Sequence, residues 1–336
     1  MKNTARTVFD GDKEQSVNTG ISPDGTWNLL LPPPVGHSGK SLPGAVNLNA
    51  VWTQELPPLD FVLPGLVAGT VGMLMAAGGT GKSILALELA IAVAGGPDLL
   101  NMGVSRLGRV LVVAAEDPLH VLAVRLKALA AHLSAQARAA VMSNLEVIPT
   151  LGTGVELYTA GADDWELALT SRGRGCRLIV IDTLSRVHSG EENRREDAAK
   201  VMRRLENIAL NTGAAVLVLH HVAKAAALNG QGQNQQAARG ASVWVDEARF
   251  VAYLVGMDSD TATQLGIDAD LRRSYLRYGV AKGNYAPPLP DTWLRRDVGG
   301  VLLPASITKA PKAPTERKFR PTALVNIPQG NLDEVW

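Results

Sequence analysis

Cysteine is all but missing from this 336-residue chain: the one thiol, Cys176, can form no internal disulfide. That fits a reducing, cytoplasmic compartment. Aromatic residues are scarce at 4%, so a core has to rest on Val, Leu, Ile and Ala, and a hydrophobic content of 46% supplies one. Neither sign of charge dominates, with 33 Lys and Arg against 32 Asp and Glu and a net charge of +1. A surface coated in positive charge is thereby excluded, and contact with nucleic acid has to be local, in a channel or loop. Long apolar runs are absent too: stretches such as Leu178 to Ile181 are of strand length, so no membrane span is expected. The N-terminal MKNTARTVFDGDKEQ lacks the apolar stretch of a signal peptide.

What is present is a regular alternation. Residues 1–50 are rich in Gly, Pro, Asn, Ser and Asp, with LPPP at 31–34, and read as a flexible arm. From residue 306 onward, KAPKAPTERKFRP reads as a second flexible tail. Between them, residues 51–305 hold short β-branched runs at Val71–Ala76, Arg109–Ala115, Leu178–Ile181 and Ala214–Leu219. Helix-like segments at 82–95, 118–133 and 195–211 separate them. Strands apolar on both faces, joined through helices, predict an α/β domain with a mostly parallel sheet. After residue 245 the pattern changes: Phe250–Val255 and Tyr275–Ala281 read as further strands, and WLRRDVGGVLLP as a hairpin around Gly299 and Gly300.

The stretch AAGGTGKS, residues 76–83, lies between a predicted strand and a predicted amphipathic helix. A glycine-rich turn in that context points backbone N–H groups at phosphate oxygens, and the helix dipole adds to the attraction. Ala77, Gly78, Gly79, Thr80 and Gly81 would form the cradle. Lys82 would reach the β- and γ-phosphates, and the Ser83 hydroxyl would enter the Mg²⁺ shell. Ala76 stands where glycine is usual, and it is the smallest side chain that can replace it. The cofactors implied are ATP and Mg²⁺.

Polar residues end the other strands. Asp182, after LIVI, is placed at the carboxyl edge of a parallel sheet, where a carboxylate can hold Mg²⁺ directly or through water. Glu116 and Asp117 end VLVVAA; Glu116 is the candidate that orients the attacking water, and Asp117, before Pro118, reads as a helix cap. His220 and His221 end AVLVLHH and point to opposite faces, so they cannot share one metal. One of them is placed to sense the γ-phosphate, with His220 taken first and His221 second. Residues 222–245 follow directly, rich in Gly, Gln and Asn, with Lys224 and Arg239. A mildly basic, amide-rich loop attached to a phosphate sensor suits the backbone of single-stranded DNA. Arg186, in the loop after Asp182, is a second candidate contact.

Taken in order, these motifs resemble a RecA-fold ATPase, and more closely the RepA-type hexameric replicative helicases of IncQ-type plasmids. The resemblance runs over residues 57–302 and includes GGPDLL, AAEDP, RLKALAAHLS, IDTLSR, LHHVAK, ARGASVWVD and YGVAKGNY. It implies a RecA-like P-loop core with antiparallel C-terminal strands, and a homo-oligomeric ring of six subunits with ATP at each interface. It also implies roles: Glu116 activates water, Asp182 serves the metal, and His220 or His221 senses the γ-phosphate. Arg277 matches the arginine that reaches into a neighbour's site, assisted by Lys282, and Arg125 lies against adenine. The function implied is an ATP-dependent DNA helicase driving plasmid replication. Two other readings stay open from the residues: a RecA-like recombination mediator that hydrolyses ATP without unwinding, and a regulator that uses ATP as a switch.

Overall fold

The computed structural model describes residues 45–191, 194–222 and 242–307. The first half of the chain forms α1 (Leu48–Thr53), β1 (Phe61–Leu63), β2 (Leu66–Val67), β3 (Val71–Ala76), α2 (Lys82–Val93), β4 (Arg109–Ala114), α3 (Leu119–Ala130), α4 (Ala135–Asn144) and β5 (Leu145–Pro149). Then come α5 (Ala162–Gly173), β6 (Cys176–Asp182), α6 (Leu184–Val187), α7 (Arg195–Thr212) and β7 (Ala215–His221). The last part holds α8 (Ser242–Glu247), β8 (Phe250–Gly256), α9 (Ser259–Leu265), β9 (Tyr275–Gly283), β10 (Thr292–Arg296) and β11 (Leu302–Pro304).

Nine of these strands form one sheet in the order β11-β10-β9-β8-β3-β7-β6-β4-β5. From β8 to β5 every pairing is parallel, while β8 to β11 pair antiparallel. This is the α/β architecture the sequence predicts, including the hairpin, in which Arg296 pairs with Leu302 around Gly299 and Gly300. Helix α1 lies across the expected boundary at residue 50, and most of the two expected terminal arms falls outside the described residues.

The period of two along each strand sorts its side chains between two cores. On one face Leu74, Val110, Val112, Leu178, Val180, Leu217 and Leu219 meet α2, α3 and α4. On the other, Met73, Met75, Leu111, Ile179, Ile181, Val216 and Val218 meet α7 and its neighbours. Helix α2 is apolar on every side, as a helix enclosed by sheet and other helices must be. Helix α7 is amphipathic: Ala198, Val201, Met202, Leu205, Ile208 and Ala209 are buried at helical spacing. Glu196 and Asp197 oppose its dipole, and Gly213, at φ 72°, caps its end.

Candidate nucleotide site

The site is assembled at the carboxyl edge of the parallel strands. Its centre is the turn from β3 to α2, where Gly79 and Gly81 take φ values of 74° and 106° that an L side chain resists. A Cβ at Gly81 would also lie 3.0 Å from an Arg296 guanidinium nitrogen, which places that side chain directly over the turn. Thr80 closes the turn by donating its N–H to the Ala77 carbonyl at 3.2 Å. Backbone bonds then bring the neighbouring strand tips to the turn: Ala115 N–H donates to Asp182 O at 2.6 Å, and Val222 N–H to Ala76 O at 3.1 Å.

Strand parity decides which side chains look into the turn. Asp182 and His221 continue the residue numbers that face α2, and Glu116, two residues past Ala114, does the same. Lys82, at the start of α2, is buried at 4% exposure. His221 joins these groups: its Nδ1 lies 3.0 Å from the Lys82 ammonium and its Nε2 3.2 Å from a Glu116 carboxylate oxygen. An ammonium only donates, so Nδ1 accepts from Lys82 and the ring carries its proton on Nε2, which it donates to Glu116. The imidazole thus bridges the Lys82 ammonium and the Glu116 carboxylate.

Burial sets the electrostatics. Desolvation lowers the pKa of Lys82, against the pull of the Glu116 and Asp182 carboxylates. The Asp182 carboxyl is raised, mainly by burial, with a hydrogen bond from Ser83 acting the other way. One Asp182 oxygen is buried without a partner, beside the Ser83 hydroxyl. A hard cation suits that pair: Mg²⁺ takes few protein oxygens and completes its shell with phosphate and water. No cluster of three or more His, Cys, Asp or Glu residues that could hold a metal occurs among the described residues.

Residues 43–227, more than half of the chain, match the AAA domain family. The chain belongs to that family. Its members are P-loop ATPases, and the turn from β3 to α2 lies within the matched residues, with the Gly-Lys-Ser sequence and strand–turn–helix setting of a phosphate loop. Two solved structures show a similar chain path. One, an ATPase domain, is 14% identical, with a TM-score of 0.46 over 70% of this chain and 85% of that one. The RadB recombinase is 13% identical, with a TM-score of 0.45 over 72% of this chain and 93% of that one. Identities this low say nothing about the reaction; the side chains of the site do.

The AAA-domain chain places the other expected residues as follows. His220, taken first as the sensor, lies on the opposite face from Lys82, buried at 2% exposure with its ring 6.3 Å from that of Trp244. Burial, followed by the nearby His221 and Lys82, pushes its pKa down to about 4. Of the two histidines, it is His221 that meets Lys82 and Glu116. Arg125, expected against adenine, is bound by the Asp117 carboxylate, which therefore does not cap α3. Lys282 donates to the carbonyls of Val245 and Asp246, both at 2.9 Å, and so closes the end of α8. Arg277 is half-exposed on β9, 3.7 Å from Asp291 and 5.9 Å from the centre of the Tyr253 ring. Arg186 is exposed on α6. Lys224 and Arg239 lie outside the described residues.

One participant went unnoticed in the sequence. Arg296, on the C-terminal hairpin, donates to the Thr80 carbonyl and, at 3.4 Å, to that of Gly79. Its signal was present in WLRRDVGG, where two adjacent arginines on a strand must face opposite sides.

Proposed function

We propose that this chain is an ATP-dependent DNA helicase of plasmid replication, acting on single-stranded DNA as a homo-oligomeric ring. The observation that carries the hydrolytic part is the line from Lys82 through His221 to Glu116. A chain that merely bound ATP would have no use for a carboxylate held beside its phosphate lysine. In the reaction, the loop N–H groups and Lys82 bind the phosphates, and Ser83 and Asp182 would hold Mg²⁺, which neutralises charge on the phosphate oxygens. Glu116 accepts the proton of the attacking water. The phosphates and His221 compete for the Lys82 ammonium, so the histidine registers which partner Lys82 has.

DNA enters this reading through sequence order. His221 is followed at once by the stretch holding Lys224 and Arg239, which we assign to the DNA backbone together with Arg186. Arg277 remains assigned to the nucleotide of an adjoining subunit; its side chain is 31% exposed, and serving a neighbour requires it to leave Asp291, 3.7 Å away. The resemblance to hexameric plasmid helicases supports six subunits. No described helix is long and apolar enough to cross a membrane.

A forked duplex with a labelled strand tests the proposal. Wild-type protein with ATP and Mg²⁺ should release the strand, Lys82→Ala should not, and a mass measurement should return a ring. ATP turnover stimulated by single-stranded DNA with the fork left intact would favour a recombination mediator. Negligible turnover with or without DNA would favour a regulator.

A further inference from the structure

The C-terminal hairpin is fixed to the phosphate-loop helix and its neighbour at several places. Glu88, in the middle of α2, is 1% exposed and accepts the N–H of Leu302 at 2.7 Å. Gly299, in the turn, approaches α3 so closely that a Cβ there would lie 2.5 Å from that of Ala128. Leu294, Val301 and Leu302 are wholly buried in the core that α2 shares. The last tie is Arg296, whose guanidinium rests on the Gly79 and Thr80 carbonyls. A side chain as long as arginine stays in one place when both its root and its tip are held.

That contact bears on phosphate binding. The C=O and N–H of a trans peptide point in opposite directions, so a donor seated on the Thr80 oxygen turns the N–H of Gly81 the other way. Hydrogen bonds in series also polarise one another, strengthening the N–H as a donor. Gly81 is the residue immediately before Lys82, at the start of α2, where a phosphate is received. The guanidinium adds a positive charge close to that anion.

We propose that Arg296 is a positioning residue for the nucleotide: from the C-terminal hairpin it sets the peptide groups of the phosphate loop, in its own subunit, for a di- or triphosphate. The inference rests on the nucleotide-site reading above and extends it to a residue outside the family match, which ends at residue 227. Because the loop holds the α- and β-phosphates, which ADP and ATP share, Arg296 serves both ligands alike. A residue that touched the γ-phosphate would serve ATP alone.

The full chain, as wild type, Arg296→Ala and Arg296→Lys, is titrated with ADP and with ATP against a fluorescent nucleotide, with steady-state ATPase and a nucleotide-free melt alongside. Arg296→Ala should lose affinity for ADP and ATP by the same factor, about tenfold or more. Its kcat at saturating ATP should stay within about threefold of wild type, with the loss appearing in KM. Arg296→Lys should regain part of the affinity, since an ammonium replaces the charge and not the planar fork. Unchanged affinity, a loss confined to ATP, or a fall in kcat at constant KM would each overturn the proposal. If Arg296→Ala does not fold, Arg296→Lys decides: equal losses for both nucleotides support it, and wild-type affinity overturns it. Wild-type protein that binds neither nucleotide would sink the site reading itself, whereas tight binding by wild type and Arg296→Ala alike would sink this inference alone.

Discussion

The parallel and antiparallel halves of the sheet contribute different chemistry to one site. Parallel strands all end at the same edge, so β3, β4, β6 and β7 deliver Lys82, Glu116, Asp182 and His221 together without any long excursion. The antiparallel strands deliver arginines instead. Arg296 is turned in toward the loop of its own chain, while Arg277 is left half-exposed on β9. The side chains that converge on the phosphate loop thus come from both halves: Lys82, Glu116, Asp182 and His221 from the parallel strand ends and Arg296 from the antiparallel hairpin.

This contrast can be broken at several points. If Arg277 serves an adjoining subunit, Arg277→Ala should retain nucleotide binding while ATP turnover falls by about 10³–10⁵-fold. Loss of binding in a nucleotide titration would return Arg277 to a structural role in its own chain. The two histidines at the end of β7 extend the contrast to a single strand, since His221 meets Lys82 and Glu116 while His220 is buried near Trp244. His221→Ala should lower kcat by about 10–100-fold with the melting temperature little changed, because it frees Glu116 to reorient. His220→Ala should do the reverse, costing about 1–3 kcal/mol of stability in denaturant titration and leaving kcat within a few-fold.

The most gradual effect concerns Glu88, whose buried carboxyl is pushed up to about 8 from 4.5 by desolvation, with the Leu302 N–H acting against that rise. An acid with a raised folded pKa is protonated in the native chain and ionised in the unfolded one between those two values. Its stabilising share is thus intact below about pH 4.5 and lost progressively as pH rises toward 8, by at most about 1.4 kcal/mol per pH unit. Glu88→Gln keeps an oxygen for Leu302 and should flatten that slope. Unfolding measured from pH 5 to pH 8 should show the variant gaining on wild type as pH rises; parallel curves would contradict it.

Much of this was legible in the residues for physical reasons. Val71–Ala76 was predicted to the residue, and β4, β6 and β7 within two, because strands buried on both faces are continuous apolar runs. The segment from α4 to α5 was not, since β5 is half-exposed along its length and α4 has a single buried residue, Val141. Which of His220 and His221 faces Lys82 stayed open for a different reason: parity along β7 is visible in LHH, but which face α2 covers is a tertiary fact. Arg296 was hidden by distance, since 216 residues separate it from Thr80.

In the proposed reaction Glu116, aligned by His221, takes the proton from the water that cleaves ATP. Glu116→Gln keeps the size of the side chain and removes the base. In single-turnover measurements with Mg²⁺ and single-stranded DNA, the variant should bind ATP as tightly as wild type and hydrolyse it about 10²–10⁴-fold more slowly. Hydrolysis by Glu116→Gln at the wild-type rate would contradict the account.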